Sequence, residues 1–400
     1  MSKQIIKNRL PRIPYSEVLY WCLGFSLPMQ LAKHFWPDFS YLFGMRIDYL
    51  SPALYLSDLA ILAALTIWIK QHQYINPKLK TAPVLLFLVV LIINFFVASS
   101  HYLFFFRLLQ YLKIVTLILL FSRINQTQFR FFINGLIVTT WLALVLSVTQ
   151  IWHQGSMQGL WYFLGERSFT INSPGIATVS LSGHKLLRAY AFFSHPNSLS
   201  GFYLPLVFVF LHLKKPLMAI TAILLVLLSF SKFTIVLLAL SLLFWFWQKN
   251  SSCRLCRFGQ IGFIIWLILS SFLLKGDPLS LSSRFVSYHQ AWLFIVNHSL
   301  GLGLGHYLHA NLHPFRQPVH NVLLLLTLEL GWLIWPFIVY YGQQLFKIAQ
   351  RNRLSLLLLA VLFSLASFDH YLITLNQNVL LLGVIIGLII GPWSRRQIPN

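Results

Sequence analysis

Residues 188–197 set Arg188, His195 and a Pro196-Asn197 pair directly ahead of an apolar run. Pro followed by Asn reads as a helix start with Asn197 as its N-cap. The free backbone donors of such an end favour phosphate, and Arg188 lies close enough in sequence to share it. The competing reading is structural: Asn197 only caps, and Arg188 only reaches toward lipid phosphates. Residues 282–297 form a second segment, in which Phe285, His289, Trp292 and Val296 recur at helical spacing with Arg284 and Tyr288 beside them. That pattern predicts an amphipathic helix lying in a membrane interface. The Gly301–Gly305 turn that follows lacks the strand and continuation of a nucleotide-binding loop, so it reads as a flexible bend permitting close approach.

A third segment holds His306, His309, His313, Arg316 and the pair His320-Asn321, which opens an apolar run carrying Glu329. Histidines at 306, 309, 313 and 320 have no carboxylate or cysteine beside them, and their spacing is that of any helix, so no metal is expected. His320 sits where a span begins and is suited to act as general base or hydrogen-bond donor near neutral pH, with Asn321 as a second helix cap. An ordinary interfacial histidine is the alternative. Lys232, in the break 229–234, completes the set on the outer side, where Asp369 and His370 near the end of the eleventh span would also face.

These residues must be held by elements that composition narrows sharply. Of the 400 residues 58% are hydrophobic and 10% charged, against about 25% charged in soluble domains. Apolar runs of roughly 20 residues recur along the chain, and because they are continuous rather than alternating they predict helices, not barrel strands. The expectation is an all-α, polytopic membrane protein, a single membrane domain over 1–400. Its twelve spans are placed near 15–32, 51–69, 82–99, 103–122, 131–152, 197–213, 216–230, 233–248, 258–274, 321–342, 354–372 and 376–392. The stretch 216–248 is divided because as one helix it would be about 50 Å long against a core of about 30 Å.

The net charge of +22 reflects 30 Lys and Arg against 8 Asp and Glu. In a soluble chain that balance suggests nucleic acid; here most cations fall in segments that become cytoplasmic if both termini are, as the positive-inside rule requires. No cleavage pattern follows the basic stretch Lys3–Arg12, so the first helix is expected to remain as an anchor. Two outer loops, about 153–196 and about 275–320, are too long for mere connectors. They hold Arg167, Lys185, Arg188, Lys275, Arg284 and Arg316 with only Glu166 and Asp277 as acids. An outer surface that keeps unpaired cations against the positive-inside bias is suited to an anion. Arg107 and Lys113, inside the fourth span, receive no role.

Several chemistries are excluded. Cys253 and Cys256 form an isolated C-x-x-C without a second ligand pair. A carboxylate pair for glycoside hydrolysis is missing, as are an acidic cluster for a metal–nucleotide-sugar complex and a Walker loop. No cofactor is expected. A transporter also needs many spans and buried charges, but no repeat relates the two halves and the unusual charges gather at the outer boundary.

Taken in order, Arg188, Pro196-Asn197, Ser231-Lys232, Arg284, Trp292, Gly303-Leu-Gly305, His320-Asn321 and Glu329-Leu-Gly331 resemble the bacterial O-antigen ligase and O-antigen polymerase superfamily of GT-C-like membrane glycosyltransferases. The motifs cover about residues 185–335, and the twelve-span layout resembles the family over the whole chain. Lys232 departs from the usual arginine, keeping the charge but losing the bidentate fork. The resemblance implies a glycan donor on undecaprenyl pyrophosphate, transferred without metal or nucleotide to a glycan, lipid or protein acceptor on the outer face of the bacterial cytoplasmic (inner) membrane. It implies roles for Arg188, Arg284 and His320 in catalysis and for Lys232, Arg316, Asn197, Asn321 and Tyr288 in holding pyrophosphate or glycan. Polymerisation of lipid-linked repeat units is the alternative within the family, and lipid-linked glycan transport the alternative outside it.

Overall fold

The computed structural model describes residues 15–71, 81–181, 183–248, 265, 278–310 and 317–391. Within them the chain is mostly helical: α1 (Tyr15–Ser26), α2 (Leu56–Gln71), α3 (Thr81–Val97), α4 (His101–Ser122), α5 (Gln126–His153), α6 (Pro196–His212), α7 (Pro216–Leu228), α8 (Lys232–Gln248), α9 (Pro278–Asn297), α10 (Tyr307–Ala310), α11 (Val322–Leu330), α12 (Trp335–Ala349), α13 (Arg353–Phe368), α14 (Tyr371–Thr374) and α15 (Asn376–Ile390). Among these, α4 and α5 are each long and apolar enough to cross a membrane. A third qualifies if the pair 322–330 and 332–349, bent by 117°, counts as one span. The expected helix at 258–274 lies outside the described residues save for Ile265, as do Cys253 and Cys256.

The all-α expectation needs amendment, because three small antiparallel pairs occur: β1 (Ala32–His34) with β4 (Ala53–Tyr55), β2 (Tyr41–Leu42) with β3 (Met45–Arg46), and β5 (Thr178–Leu181) with β6 (His184–Leu187). The first helix ends at Ser26 rather than 32, since Pro28, Pro37 and Pro52 each remove an N–H donor and the segment between α1 and α2 folds into these short pairs instead. Residues 216–248 divide as expected, with a break at 229–231. The expected span 321–342 is instead broken at Gly331 (φ +74), where the turn following α9 is wedged against it. Gly301 and Gly331 face each other there: a Cβ on Gly301 would lie 2.5 Å from the Glu329 carbonyl oxygen. Leu302 N–H and Gly303 N–H donate to the carbonyls of Leu328 and Glu329 (2.8 and 3.1 Å). The glycine turn therefore achieves the close approach read from sequence, and it does so by bracing a helix break.

The core is built around α6, whose residues are buried on every face from Ser198 to Phe210, as a helix apolar all round requires. Tight helix pairing frames it. Gly24 on α1 and Gly135 on α5 lie against each other's backbones, at Phe132 and Trp21, so closely that neither position has room for a Cβ. Along the opposite side of α5, Val138, Trp141, Val145, Val148 and Trp152 form an exposed apolar stripe at helical spacing.

Candidate active site

Arg188 follows β6 and is positioned by a helix end. The α7–α8 break leaves the Ser229 carbonyl at the end of α7 without a following helical donor, and Arg188 Nε donates to it at 2.7 Å. Its Nη2 donates to Asn197 Oδ1, also at 2.7 Å. Asn197 has this oxygen free because it is not the cap. The cap of α6 is His195, whose Nδ1 accepts from Asn197 N–H at 3.1 Å, with Pro196 as the first helical residue. The expected helix start is right and the expected capping residue is wrong: a histidine ring takes that duty and releases the amide. Asn197 Nδ2 then donates to Asp369 Oδ2 at 3.3 Å, making Asn197 a bridge between Arg188 and Asp369.

Asp369 caps the C-terminal end of α13, and the chain runs non-helically through His370 into α14. The eleventh span thus stops at Phe368 rather than 372, which turns both side chains inward. Asp369 Oδ1 accepts the His370 backbone N–H at 2.8 Å, and His370 Nδ1 contacts Thr374 Oγ1 at 2.7 Å. The His320 ring meets the His370 ring edge-on at 5.1 Å. From the segment between α1 and α2, the Tyr49 ring meets the His370 ring edge-on at 5.5 Å.

Helix α9 approaches from outside with two distinct faces. Phe285, His289, Trp292 and Val296, the expected stripe, are exposed; Arg284, Tyr288, Ala291 and Ile295, at the same spacing, face the protein. Tyr288 Oη donates to the His320 carbonyl at 2.8 Å. Arg284 Nη1 reaches the Phe368 carbonyl at 3.5 Å, one residue before Asp369. Asn321 caps α11, accepting from Leu324 N–H at 2.9 Å, and donates to the Ser367 carbonyl at 3.0 Å. Five of the residues singled out in the sequence, Arg188, Asn197, Arg284, Tyr288 and His320, therefore converge around Asp369, with Asn321 locking α11 to the end of α13. Lys232 is exposed at the start of α8, one residue before Phe233, whose ring stacks on Phe368 at 4.3 Å. Arg316 and His313 lie outside the described residues.

The electrostatics of this cluster favour an anion. Burial pushes Arg188 down to about 10, which leaves it charged at neutral pH. Burial, reinforced by Arg188 and opposed by Asp369, drives His195 down to about 3. Burial, against the attraction of Asp369, takes His370 to about 3 as well, and the same burial lowers His320 below 6.5. For Asp369 burial acts upward, but His320, His370, Arg284 and His195 outweigh it and hold the carboxyl below its ordinary 3.8. Near neutral pH the cluster thus contains two guanidinium groups, one carboxylate and neutral imidazoles. Among the described residues, His320 Nδ1 is buried with no hydrogen-bond partner.

His320, Asp369 and His370 each offer a ligand atom, all within 4.8 Å of one another, yet two arginines beside a single carboxylate oppose a dication there. Of the histidines read in the sequence as a conceivable metal set, His306 is committed elsewhere: its Nε2 accepts from Ser100 N–H at 2.8 Å and its Nδ1 lies 2.9 Å from the Leu304 carbonyl. His309 contacts the Phe39 carbonyl at 3.0 Å. Glu329 lies in the interior, with the Tyr111 hydroxyl 3.5 Å from its carboxylate, away from the Asp369 cluster. Glu166 is structural too. It accepts from Gln150 Nε2 (2.8 Å) and from the N–H groups of Met157 (2.9 Å) and Gln158 (2.6 Å), clasping the segment that follows α5 to the end of that helix.

Sequence reasoning placed Asp369 and His370 on the outer side without giving them work, and it missed His195 as a cap. The signal for Asp369 was present, since it is one of only 8 acids and stands at a predicted span end. Comparison with protein-family models, with curated proteins and with solved structures finds no match to this chain.

Proposed function

We propose that this chain is a metal- and nucleotide-independent membrane glycosyltransferase. It moves a glycan from undecaprenyl pyrophosphate to a hydroxyl-bearing acceptor at the outer face of a bacterial cytoplasmic membrane, which it crosses in twelve spans with both termini inside. The observation that carries this reading is the surplus of cations around His320: among the described residues, Arg188 and Arg284 lie near one carboxylate, that of Asp369, beside a buried imidazole nitrogen without a hydrogen-bond partner. A pyrophosphate supplies the missing negative charge, and an acceptor hydroxyl supplies the missing hydrogen-bond donor.

In this mechanism Arg188 and Arg284 bind the pyrophosphate and stabilise the charge that grows on it. The acceptor oxygen attacks the anomeric carbon while the bond from that carbon to the phosphate oxygen breaks. The bonding pair leaves on undecaprenyl pyrophosphate, and the hydroxyl proton passes to His320. Asn197 keeps Arg188 and Asp369 in register, and Asp369 stabilises the imidazolium that forms. Lys232 and Arg316 assist in holding the pyrophosphate, with Tyr288 and Asn321 fixing the backbone at His320.

The test is transfer by purified protein in lipid vesicles from a labelled undecaprenyl-pyrophosphate glycan. A new glycosidic product with wild-type protein, lost in Arg284→Ala and His320→Ala, supports the reading. Near-full activity in either variant, or transbilayer movement of the donor without a glycosidic product, overturns it. Omitting any other acceptor separates the two chemistries of the family: chain growth from the donor alone means a polymerase, and its absence a ligase.

A further inference from the structure

The segment that follows α5 carries an apolar surface that the proposed reaction does not use. The 3-10 turn Gly159–Leu164 points Trp161 and Leu164 into the core, where Trp161 meets Phe192 at 6.2 Å. Its other side chains point away: Leu160 is 83% exposed and Phe163 65% exposed, with Tyr162 paired edge-on to Phe163 at 5.7 Å. Large aromatic and aliphatic groups turned so fully outward on a soluble surface would be an aggregation liability.

Two observations say what covers them. The first is continuity. The exposed stripe of α5, Val138, Trp141, Val145, Val148 and Trp152, runs along a helix of 28 residues that is long enough to cross a membrane. It ends at Trp152, 89% exposed, just before this turn. In sequence the exposed apolar series resumes in this turn, after the chain turns at Gln154 (φ +54), with Trp152 and Tyr162 of the type that favours the headgroup region. The second is rigidity. The buried Glu166 carboxylate holds Met157, Gln158 and Gln150 together, so the turn is presented at a fixed height relative to α5. The next residue, Arg167, donates to the Ser194 carbonyl at 3.1 Å, immediately before His195 of the candidate site.

We infer that Gly159–Leu164 is a lipid anchor: Leu160, Tyr162 and Phe163 dip into the outer leaflet at the headgroup–acyl boundary, and the Glu166–Arg167 clasp transmits that depth to the site. The inference rests on the membrane reading but not on glycan transfer.

It is tested on the full chain in lipid vesicles, with Cys22→Ser, Cys253→Ser and Cys256→Ser as background and spin labels introduced at Leu160→Cys, Phe163→Cys and, as reference, Val145→Cys. Because all three sites are exposed, the substitutions remove no buried side chain. Accessibility to lipid-soluble oxygen is compared with accessibility to a water-soluble nickel chelate. Oxygen should dominate at 145 and, to a lesser degree, at 160 and 163, corresponding to a depth of about 5–10 Å. Nickel dominating at 160 and 163 while oxygen dominates at 145 overturns the anchor and leaves the membrane reading standing. Protection of 160 and 163 from both reagents means a second copy or another protein covers the turn, which also overturns it. Nickel dominating at 145 refutes the membrane reading and the anchor together.

Discussion

The described residues bury charge in two ways. In the helix interior Asp58 meets a cation: Lys113 Nζ lies 2.7 Å from it and donates to Asn376 at 3.2 Å, tying α4 to α2 and α15. Glu329 on α11 has Arg107 and Tyr111 of α4 as its electrostatic neighbours. Around Asp369 the same residue types do not balance among the described residues, because Arg188, linked to Asp369 through Asn197, and Arg284, on the neighbouring Phe368 carbonyl, lie near one carboxylate, and Lys232 stands at the edge. A self-neutralised pair holds helices together and has nothing left for a ligand. An unbalanced cluster is costly to leave unfilled, which is the physical signature of a site for an anion. This contrast also gives Lys113, unassigned from sequence, its place as the structural partner of Asp58, while Arg107 Nη1 donates to Gln110 on its own helix.

Variants separate the two kinds of cluster. The largest effect is expected at the unbalanced one: His320→Ala or Arg284→Ala should lower transfer by about 10²–10⁴-fold, measured per folded molecule, with thermal stability near wild type. At the balanced pair, Lys113→Ala or Asp58→Ala should cost about 3–5 kcal/mol of stability in detergent melts, and the double substitution to Met and Leu should recover most of it. Equal catalytic loss per folded molecule in the Lys113 variant would erase the contrast.

Smaller effects sharpen it. Asn197→Ala uncouples Arg188 from Asp369 and should weaken donor binding by about 1.5–3 kcal/mol, the range of hydrogen bonds to charged groups, whereas Asn321→Ala should cost about 1 kcal/mol of stability as a lost cap. Titration gives the most diagnostic signal. Burial holds His320 below 6.5, so the acid limb of the rate profile should reach half-maximum below pH 6.5. The folded state resists protonation of His195 and His370 until about pH 3, while the unfolded chain takes up protons near 6.5. Stability should therefore be full above 6.5 and decline as pH falls from there toward 3, readable in melting temperature across that window.

Periodicity and breaks made most helices legible, because an apolar run with a proline or cap at its edge has few alternatives: α5, α7, α8 and α15 lie close to where their residues put them. The segments that carry the chemistry were legible as places where charge stands at a span boundary. Their partners were not. The capping oxygen expected of Asn197 is displaced by a histidine two residues earlier, and the 321–342 run bends because a distant glycine turn wedges into it, neither of which leaves a local signal.

By itself the sequence determined that this chain is helical and apolar, that cations exceed acids, and that Arg188, Arg284 and His320 stand where apolar runs begin or end. Only the tertiary structure decided that Asp369 and His370, far along the chain, close the same cluster, while Glu329 and the Gly301–Gly305 turn belong to the frame. The physical reason is that periodicity records which face of a helix is buried, whereas the matching of one buried charge to another is set by packing between elements distant in sequence.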